Sequence, residues 1–528
     1  MWLHPDSITA GGFRFLDNGP TGFHYLTYGP MAFLEAGVLN ALLFPIGVLF
    51  GFWNSRLNFE SAFRINHVGF NDLTFSQLSV LTNIFLILIS LYFLSLATKN
   101  LASIRCSYFL FAITIISLPI FLNQLTLNTI EPYVFFGISY ALFVSEKLYS
   151  NQNPLRFRDI ASICAAYLLT LGVRPNLAIL ILPVFFYTAL IRYKLIRSRT
   201  EIYAQVVALT SVAISYYPLI SNSEELRSSV EKVLSLSGSS ISSYDFLRNS
   251  QVLILNLGVI VMISVLIFIA DFTMQMRHSA TSTMFRITWF IPVMLQIILY
   301  LSNKNGFPKY IVPIVPILLF NCVSVALVVL MYLSKKGSNY NSLKFVASSI
   351  VVVLFVSLGW ANYQKYQDRS KFDTREILVN MIPNDIIWIN KLSSQISVTA
   401  ILTRGPFGIP FDLMPRHLTE VNRSILDCGE ILIMSSQEFN ASQTLKQVQK
   451  CSRQGKYLVM EINPYKTQGD FEGKLEWVGL LSFGTPMDEF RLGFGPLYTL
   501  MIREDSSYRD HFKEVCRSVS ACKIVSRI

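Results

Sequence analysis

Charge is what this sequence has least of. Asp, Glu, Lys and Arg make up 15% of 528 residues, against roughly 25% in a soluble globular domain. That deficit excludes an ordinary soluble chain. A hydrophobic content of 52% excludes disorder, whose signature is low hydrophobicity. Histidine is scarce too: six residues, at positions 4, 24, 67, 278, 417 and 511, without the spacing of a metal-ligand set. There is no GxxxxGK[ST] phosphate loop, no GxGxxG, no HExxH helix and no paired CxxC. Without a soluble nucleotide-binding signature, any activated group has to arrive through the lipid phase or from outside. Residues 1–30 have no basic stretch ahead of an apolar core, so they do not read as a signal peptide.

The charge that is present is unevenly placed. Residues 1–360 hold 37 charged groups and residues 361–528 hold 40. The first part reads as membrane and the second as a soluble domain, with the boundary just after Trp360. A spanning helix needs about 20 mostly apolar residues. Candidates are 76–97, 107–124, 130–146, 202–220, 251–270, 284–301, 311–333 and 345–360. The apolar stretch 160–191 is interrupted by Arg174-Pro175-Asn176, and is either one kinked helix or two short ones.

The formal net charge is +11, which could signal an anionic partner. Its distribution says otherwise. Lys99, Arg105, Lys147, Arg156, Arg158, Arg192, Lys194, Arg197, Arg199, Arg277, Arg286, Lys335, Lys336 and Lys344 fall in five short loops, with only Glu146, Asp159, Glu201 and Asp271 beside them. Lys and Arg mark cytoplasmic loops. Clusters on both sides of 160–191 require an even number of crossings between them. The stretch therefore reads as two short spans, 160–173 and 177–191, with Arg174 at the outer surface. About 10 spans result, and 361–528 falls outside the membrane on the extracytoplasmic side. A bacterial inner membrane is the preferred location and the endoplasmic reticulum the alternative.

Segment 31–53 is apolar enough to cross. Alternatively it lies along the outer interface as juxtamembrane helices broken at Pro45, making residues 1–75 one external loop and implying a helix ahead of Met1. Cys428, Cys451, Cys516 and Cys522 all lie in the C-terminal part. Their even number in an oxidising compartment suits two disulfides, with sequential pairing (428–451 and 516–522) one of three connectivities; four free thiols are the other reading. That part alternates short apolar runs, Val398–Leu402, Glu430–Met434, Tyr457–Ile462 and Leu497–Ile502, with a helical stretch at Ser442–Arg453, as an α/β or α+β domain would.

Several motifs lie on the expected outer face. His4-Pro5-Asp6-Ser7 opens the chain, followed by Asp17-Asn18-Gly19-Pro20 and by His24-Tyr25-Leu26-Thr27-Tyr28-Gly29-Pro30 ahead of an apolar helix. Gly172-Val173-Arg174-Pro175-Asn176 lies between two spans, and Pro308-Lys309-Tyr310-Ile311-Val312-Pro313 enters another. In this order and sidedness, over roughly residues 1–360, the chain resembles the GT-C glycosyltransferases. These are multi-span enzymes that use polyprenyl- or dolichyl-phosphate sugars, such as protein mannosyltransferases and lipid A aminoarabinose transferases. It departs from the family's pattern at Ser7, where a second acid is usual, at Gly29, where a proline is usual, and in its missing first span.

The resemblance implies an inverting glycosyltransferase with a GT-C-like helical membrane domain. A sugar would move from a polyprenyl-phosphate donor to an extracytoplasmic glycan, lipid or protein, with no nucleic acid partner. Asp6 matches the family's loop acid and would be the general base; as a residue it also suits a turn or helix N-cap. Chemistry independently asks for a base near the acceptor and cations near the leaving phosphate. Arg174, Lys309, Lys304 and Arg64 are the candidates for phosphate, with a snorkelling or plain loop cation as the other reading of each. Asp17 and Glu131 are candidates for acceptor or metal binding, against a turn residue and a helix-dipole partner. Tyr28 and Tyr310 would line the sugar, or belong to an interfacial aromatic belt. No cofactor is certain; a divalent metal is the one left open. A lipid-linked polysaccharide polymerase or ligase is the main rival function. A transporter or a non-catalytic scaffold fits less well, since the confident spans carry charge only at their ends.

Overall fold

The computed structural model describes residues 29–49, 73–99, 103–121, 130–150, 153–174, 177–185, 199–220, 243–258, 281–302, 310–335, 398–401, 431–436, 455–463 and 497–525, with isolated positions between them. The chain divides into two compact units. One comprises Gly11–Asn40 and Leu81–Tyr363; the other comprises Met1–Ala10, Ala41–Val80 and Gln364–Ile528.

The first unit is helical. Its elements run α1 (Pro30–Leu49, whose last turns pass into the other unit), α2 (Leu73–Ala97, whose first turns come from it), α3 (Ile104–Ser117), α4 (Glu131–Ser150), α5 (Phe157–Thr170), α6 (Ala178–Phe185), α7 (Thr200–Ile220), α8 (Ser243–Leu257), α9 (Thr281–Leu301) and α10 (Val315–Lys335), with a 3₁₀ turn at Val312–Ile314. The expected pair of short helices on either side of Arg174 is present as α5 and α6. Pro45 falls inside α1 without ending it, so the break expected there is corrected to one continuous helix. Of the stretch 345–360, only isolated positions lie within the described residues.

Among the described residues no helix is long and apolar enough to cross a membrane. The helix bounds themselves run further: α2 has 25 residues and no charged side chain.

These helices bury apolar side chains together with small polar ones, and their exposed faces are apolar as well. On α7, Glu201, Ala204, Gln205 and Ala208 are buried, at the i, i+3, i+4, i+7 spacing of one face, while Ile202, Tyr203, Val206, Leu209, Ile214 and Tyr217 are exposed. Gln205 is held by a hydrogen bond from the Tyr167 hydroxyl of α5. On α2, Thr82, Asn83, Ser90 and Ser95 are buried beside Leu86, Ile87, Leu91 and Leu94, while Ile84, Phe85, Leu88 and Tyr92 are exposed. The buried hydroxyls are satisfied within their own helix, Ser90 to the Leu86 carbonyl and Ser95 to that of Leu91, both at 2.6 Å. Thr82 donates instead to Asn40 of α1, at 2.7 Å.

The turn between α4 and α5 carries the cluster expected to be cytoplasmic. Asp159 accepts hydrogen bonds from Lys147 Nζ at 2.8 Å and from the Arg156 amide at 3.1 Å, capping α5. Burial works to raise its pKa, but these hydrogen bonds and the charges of Lys147 and Arg158 outweigh it and leave the carboxyl below its ordinary value. A depressed carboxyl stabilises the fold above its unfolded pKa of about 3.9 and ceases to as pH falls through the lower folded value. Asp159→Asn is therefore expected to lower the melting temperature in detergent at pH 7. The gap to wild type should close as the pH is taken from about 5 to below that folded value.

In the second unit, β1 (Val398–Ile401), β2 (Ile431–Ser436), β3 (Tyr457–Ile462), β4 (Leu497–Arg503) and β5 (Cys522–Val525) form one sheet in the order β1-β2-β4-β3-β5. β1 runs parallel to β2 and the other pairs are antiparallel. Side chains alternate between faces. Met460, Ile462, Leu500 and Ile502 join Phe512 and Cys516 of helix α11 (Arg509–Ser518) in one core. Val459 and Met501 pack with Cys451 in another. Cys516 and Cys522 are disulfide-bonded, tying α11 to β5, as sequential pairing requires. Cys451 is disulfide-bonded as well; Cys428, the partner expected for it, lies outside the described residues. Cys106, Cys164 and Cys322 are free.

Candidate functional site

The site is built around the turn between α5 and α6. α5 ends as the Leu171 amide bonds back to the Tyr167 carbonyl at 2.8 Å and the Arg174 amide to Thr170 at 2.9 Å. The chain reverses at once, the Leu177 amide donating to the Arg174 carbonyl at 3.1 Å to start α6. Two glycines let other backbone come close. The Gly29 amide donates to the Val173 carbonyl at 2.7 Å and the Met31 amide to that of Gly172 at 3.2 Å. A Cβ at Gly29 would overlap the Gly172 carbonyl oxygen and the Tyr216 hydroxyl, and one at Gly172 would overlap the Leu168 carbonyl and Met31. The start of α1 thus lies backbone to backbone on the Arg174 turn. From α7, the Tyr216 hydroxyl donates to the Leu171 carbonyl at 2.7 Å.

Arg174 is buried in this turn. Its Nη1 lies 3.5 Å from Glu131 Oε1, with side-chain exposures of 5% and 1%. The contact is longer than the ~2.7–2.9 Å of a tight charge-assisted bond. Glu131 opens α4 beside Pro132, where an acid also meets the positive end of the helix dipole. The Arg174 guanidinium sits over the Tyr310 ring, 5.5 Å from its centroid, within cation–π range. Tyr310 directly precedes the buried turn Ile311–Val315 that leads into α10.

Three of the expected site residues, Arg174, Glu131 and Tyr310, are therefore brought together. Asp6, Asp17, Tyr28, Arg64, Lys304 and Lys309 lie outside the described residues. Glu131 is found as the partner of Arg174, a role different from the acceptor or metal contact expected of it. The pair is close to neutral, so a phosphate held here would need a further cation or would compete with Glu131. Among the described residues no group of three or more His, Cys, Asp or Glu side chains could hold a metal ion.

Two further polar residues belong to the same unit. Both carboxylate oxygens of Glu35 on α1 are buried without a hydrogen-bond partner among the described residues, as is the Tyr133 hydroxyl of α4. Glu35 had a visible signal: it is the one charged residue in the 20 of α1, and an isolated acid in an apolar run marks function by default. Tyr133 and Tyr216 carried none. Compared with family models, curated proteins and solved structures, the chain finds no match in any of the three.

Proposed function

We propose that this chain is a membrane-embedded inverting glycosyltransferase of the GT-C kind, taking sugar from a polyprenyl-phosphate donor to an extracytoplasmic acceptor. The observation that carries the reading is the convergence at one turn. The Gly29-Pro30 motif, Glu131, the Arg174 motif and Tyr310 come from four distant parts of the chain, and all four stand in the same region of the fold. Their chemistry suits the reaction. A base takes the acceptor hydroxyl's proton, that oxygen attacks the anomeric carbon, and the bond from this carbon to the phosphate oxygen breaks. The electron pair leaves with the polyprenyl phosphate, whose growing charge needs a fixed cation. Arg174, held by Glu131 and the Tyr310 ring, would supply one, with a further cation needed to offset the Glu131 charge. Asp6 is assigned the base by resemblance alone.

Membrane insertion belongs to the proposal. It is supported by the apolar outer faces of α2 and α7, since soluble monomers rarely expose such continuous apolar surface. By length alone the 25 residues of α2 would measure about 37 Å at ~1.5 Å each, although among the described residues no helix is long and apolar enough to cross a membrane. The Cys516–Cys522 disulfide supports an oxidising, extracytoplasmic side for the C-terminal domain.

The test is transfer of label from a panel of polyprenyl-phosphate sugars by membranes containing the full chain. Wild type should transfer from at least one donor, and Asp6→Asn should lose roughly 100-fold or more, the scale of general-base catalysis. No transfer from any donor would remove the reading; full transfer by Asp6→Asn would remove Asp6 as base.

A further inference from the structure

At the turn between α4 and α5 the chain presents Arg156, Phe157 and Arg158 to the outside, while Leu155 before them and Asp159 after them are buried. Phe157 is 86% exposed, more than any other large hydrophobic residue described. The one acid of this segment is already engaged. Asp159 accepts from Lys147 Nζ at 2.8 Å and from the Arg156 amide at 3.1 Å, and its side chain is 7% exposed. Among the described residues neither Arg156 nor Arg158 makes a salt bridge. Two outward cations with a bare aromatic ring between them are thus left by the fold.

Hydrogen bonds place a third cation at the same end. Tyr167 of α5 bonds to Gln205 of α7, and further along both helices Leu171 bonds to Tyr216. α5 and α7 therefore run in the same direction. Arg199 is exposed and directly precedes α7, so it stands at the end where α5 begins.

What fits this face follows from its two chemistries. A guanidinium holds a phosphate oxygen pair in bidentate fashion, but a soluble anion would leave the Phe157 ring in water. An apolar partner would cover the ring and leave the arginines unmatched. An anionic phospholipid meets both needs: its phosphate faces the cations and its acyl boundary receives the ring. The side expected to be cytoplasmic is also the side where anionic lipids attract basic residues next to the membrane.

We propose that the α4–α5 turn is a binding site for an anionic phospholipid of the cytoplasmic leaflet. Arg156 and Arg158 hold its headgroup, Phe157 enters its acyl boundary and Arg199 adds to the attraction. The site rests on the membrane insertion proposed above, which sets this turn at headgroup level, and is independent of the transfer chemistry.

The experiment is native mass spectrometry of the full chain released from detergent micelles that carry phosphatidylglycerol or phosphatidylcholine, giving the Kd of the first bound lipid. Wild type should bind phosphatidylglycerol at least about tenfold more tightly. Each arginine should contribute about fivefold, the scale of one basic residue at an anionic surface, so Arg156→Gln with Arg158→Gln should cost roughly 25-fold. Lysine at both positions should keep most of the preference. Phe157→Ser should weaken both lipids alike, by several-fold. All three side chains are exposed, so melting temperatures should stay near wild type. Equal Kd values for the two lipids, or a preference that survives the double glutamine variant, overturns the site. So does displacement of the lipid by excess inorganic phosphate with no effect of Phe157→Ser, which would make it a plain anion site. Alkaline carbonate separates the two readings. A chain that is extracted yet binds phosphatidylglycerol through the arginines removes insertion and supports the lipid site. A chain that stays in the membrane without lipid preference removes the site and leaves insertion standing.

Discussion

Arg174→Ala is expected to cost about 3–5 kcal/mol of stability, the penalty for removing one partner of a buried ion pair, and to abolish sugar transfer. The stability loss comes from the residue left behind. Glu131 is 1% exposed, and without the guanidinium its charge is uncompensated. The same substitution uncovers the Tyr310 ring. Thermal melting in detergent reads the first effect and the labelled-donor assay the second. The two effects separate in the double variant Arg174→Met with Glu131→Met. Replacing both members of a buried pair by apolar residues of similar size is often neutral or stabilising, so melting should recover while transfer stays absent. Recovery of transfer as well would make the pair purely structural and take the leaving-group cation away from Arg174.

Gly29→Ala is the second large effect. The added methyl would overlap the Gly172 carbonyl oxygen. That oxygen is backbone inside a tight reversal, so it cannot swing aside as a side chain would. The start of α1 must lift from the turn, breaking the hydrogen bonds from Gly29 to Val173 and from Met31 to Gly172. Each buried group left unpaired costs about 1–3 kcal/mol. A clear fall in melting temperature is expected, with loss of transfer, because lifting α1 also disturbs the turn that holds Arg174. Pro30→Ala, one residue on, adds no atoms toward the turn and is expected to be mild by comparison. Equal effects at the two positions would remove close backbone approach as the explanation.

The legible part of this molecule was what composition and spacing encode directly. The helices expected at 76–97, 160–173 and 202–220 are present within a few residues, because long apolar runs bounded by charge leave few other conformations. Tyr457–Ile462 was legible to the residue, as a short apolar run between polar neighbours. Pro45 misled, because a proline four turns into an apolar helix can be absorbed where the surroundings hold the helix together. At the site, Arg174 and Tyr310 could be singled out, but not that one sits over the other. Glu131 was visible as an acid at a helix start, and its partner, 43 residues away, was not. Contacts between distant segments depend on how helices pack, and no local pattern records that. Gly29 illustrates the limit most clearly. As a residue it looked like a departure from an expected proline. In the fold it is what allows two backbones to touch.

That contact has a bearing on how the protein is made. Gly29 and Val173 are joined by a hydrogen bond across 144 residues of chain. At the ~5–20 residues per second of synthesis, the start of α1 would leave the ribosome some 7–30 s before its docking surface exists. During that interval the start of α1 has no turn to dock against. The segment must be sheltered by lipid, water or a chaperone until α5 has been delivered. A chain stopped short of Val173 cannot form this contact, and one stopped short of Tyr310 lacks the ring under Arg174.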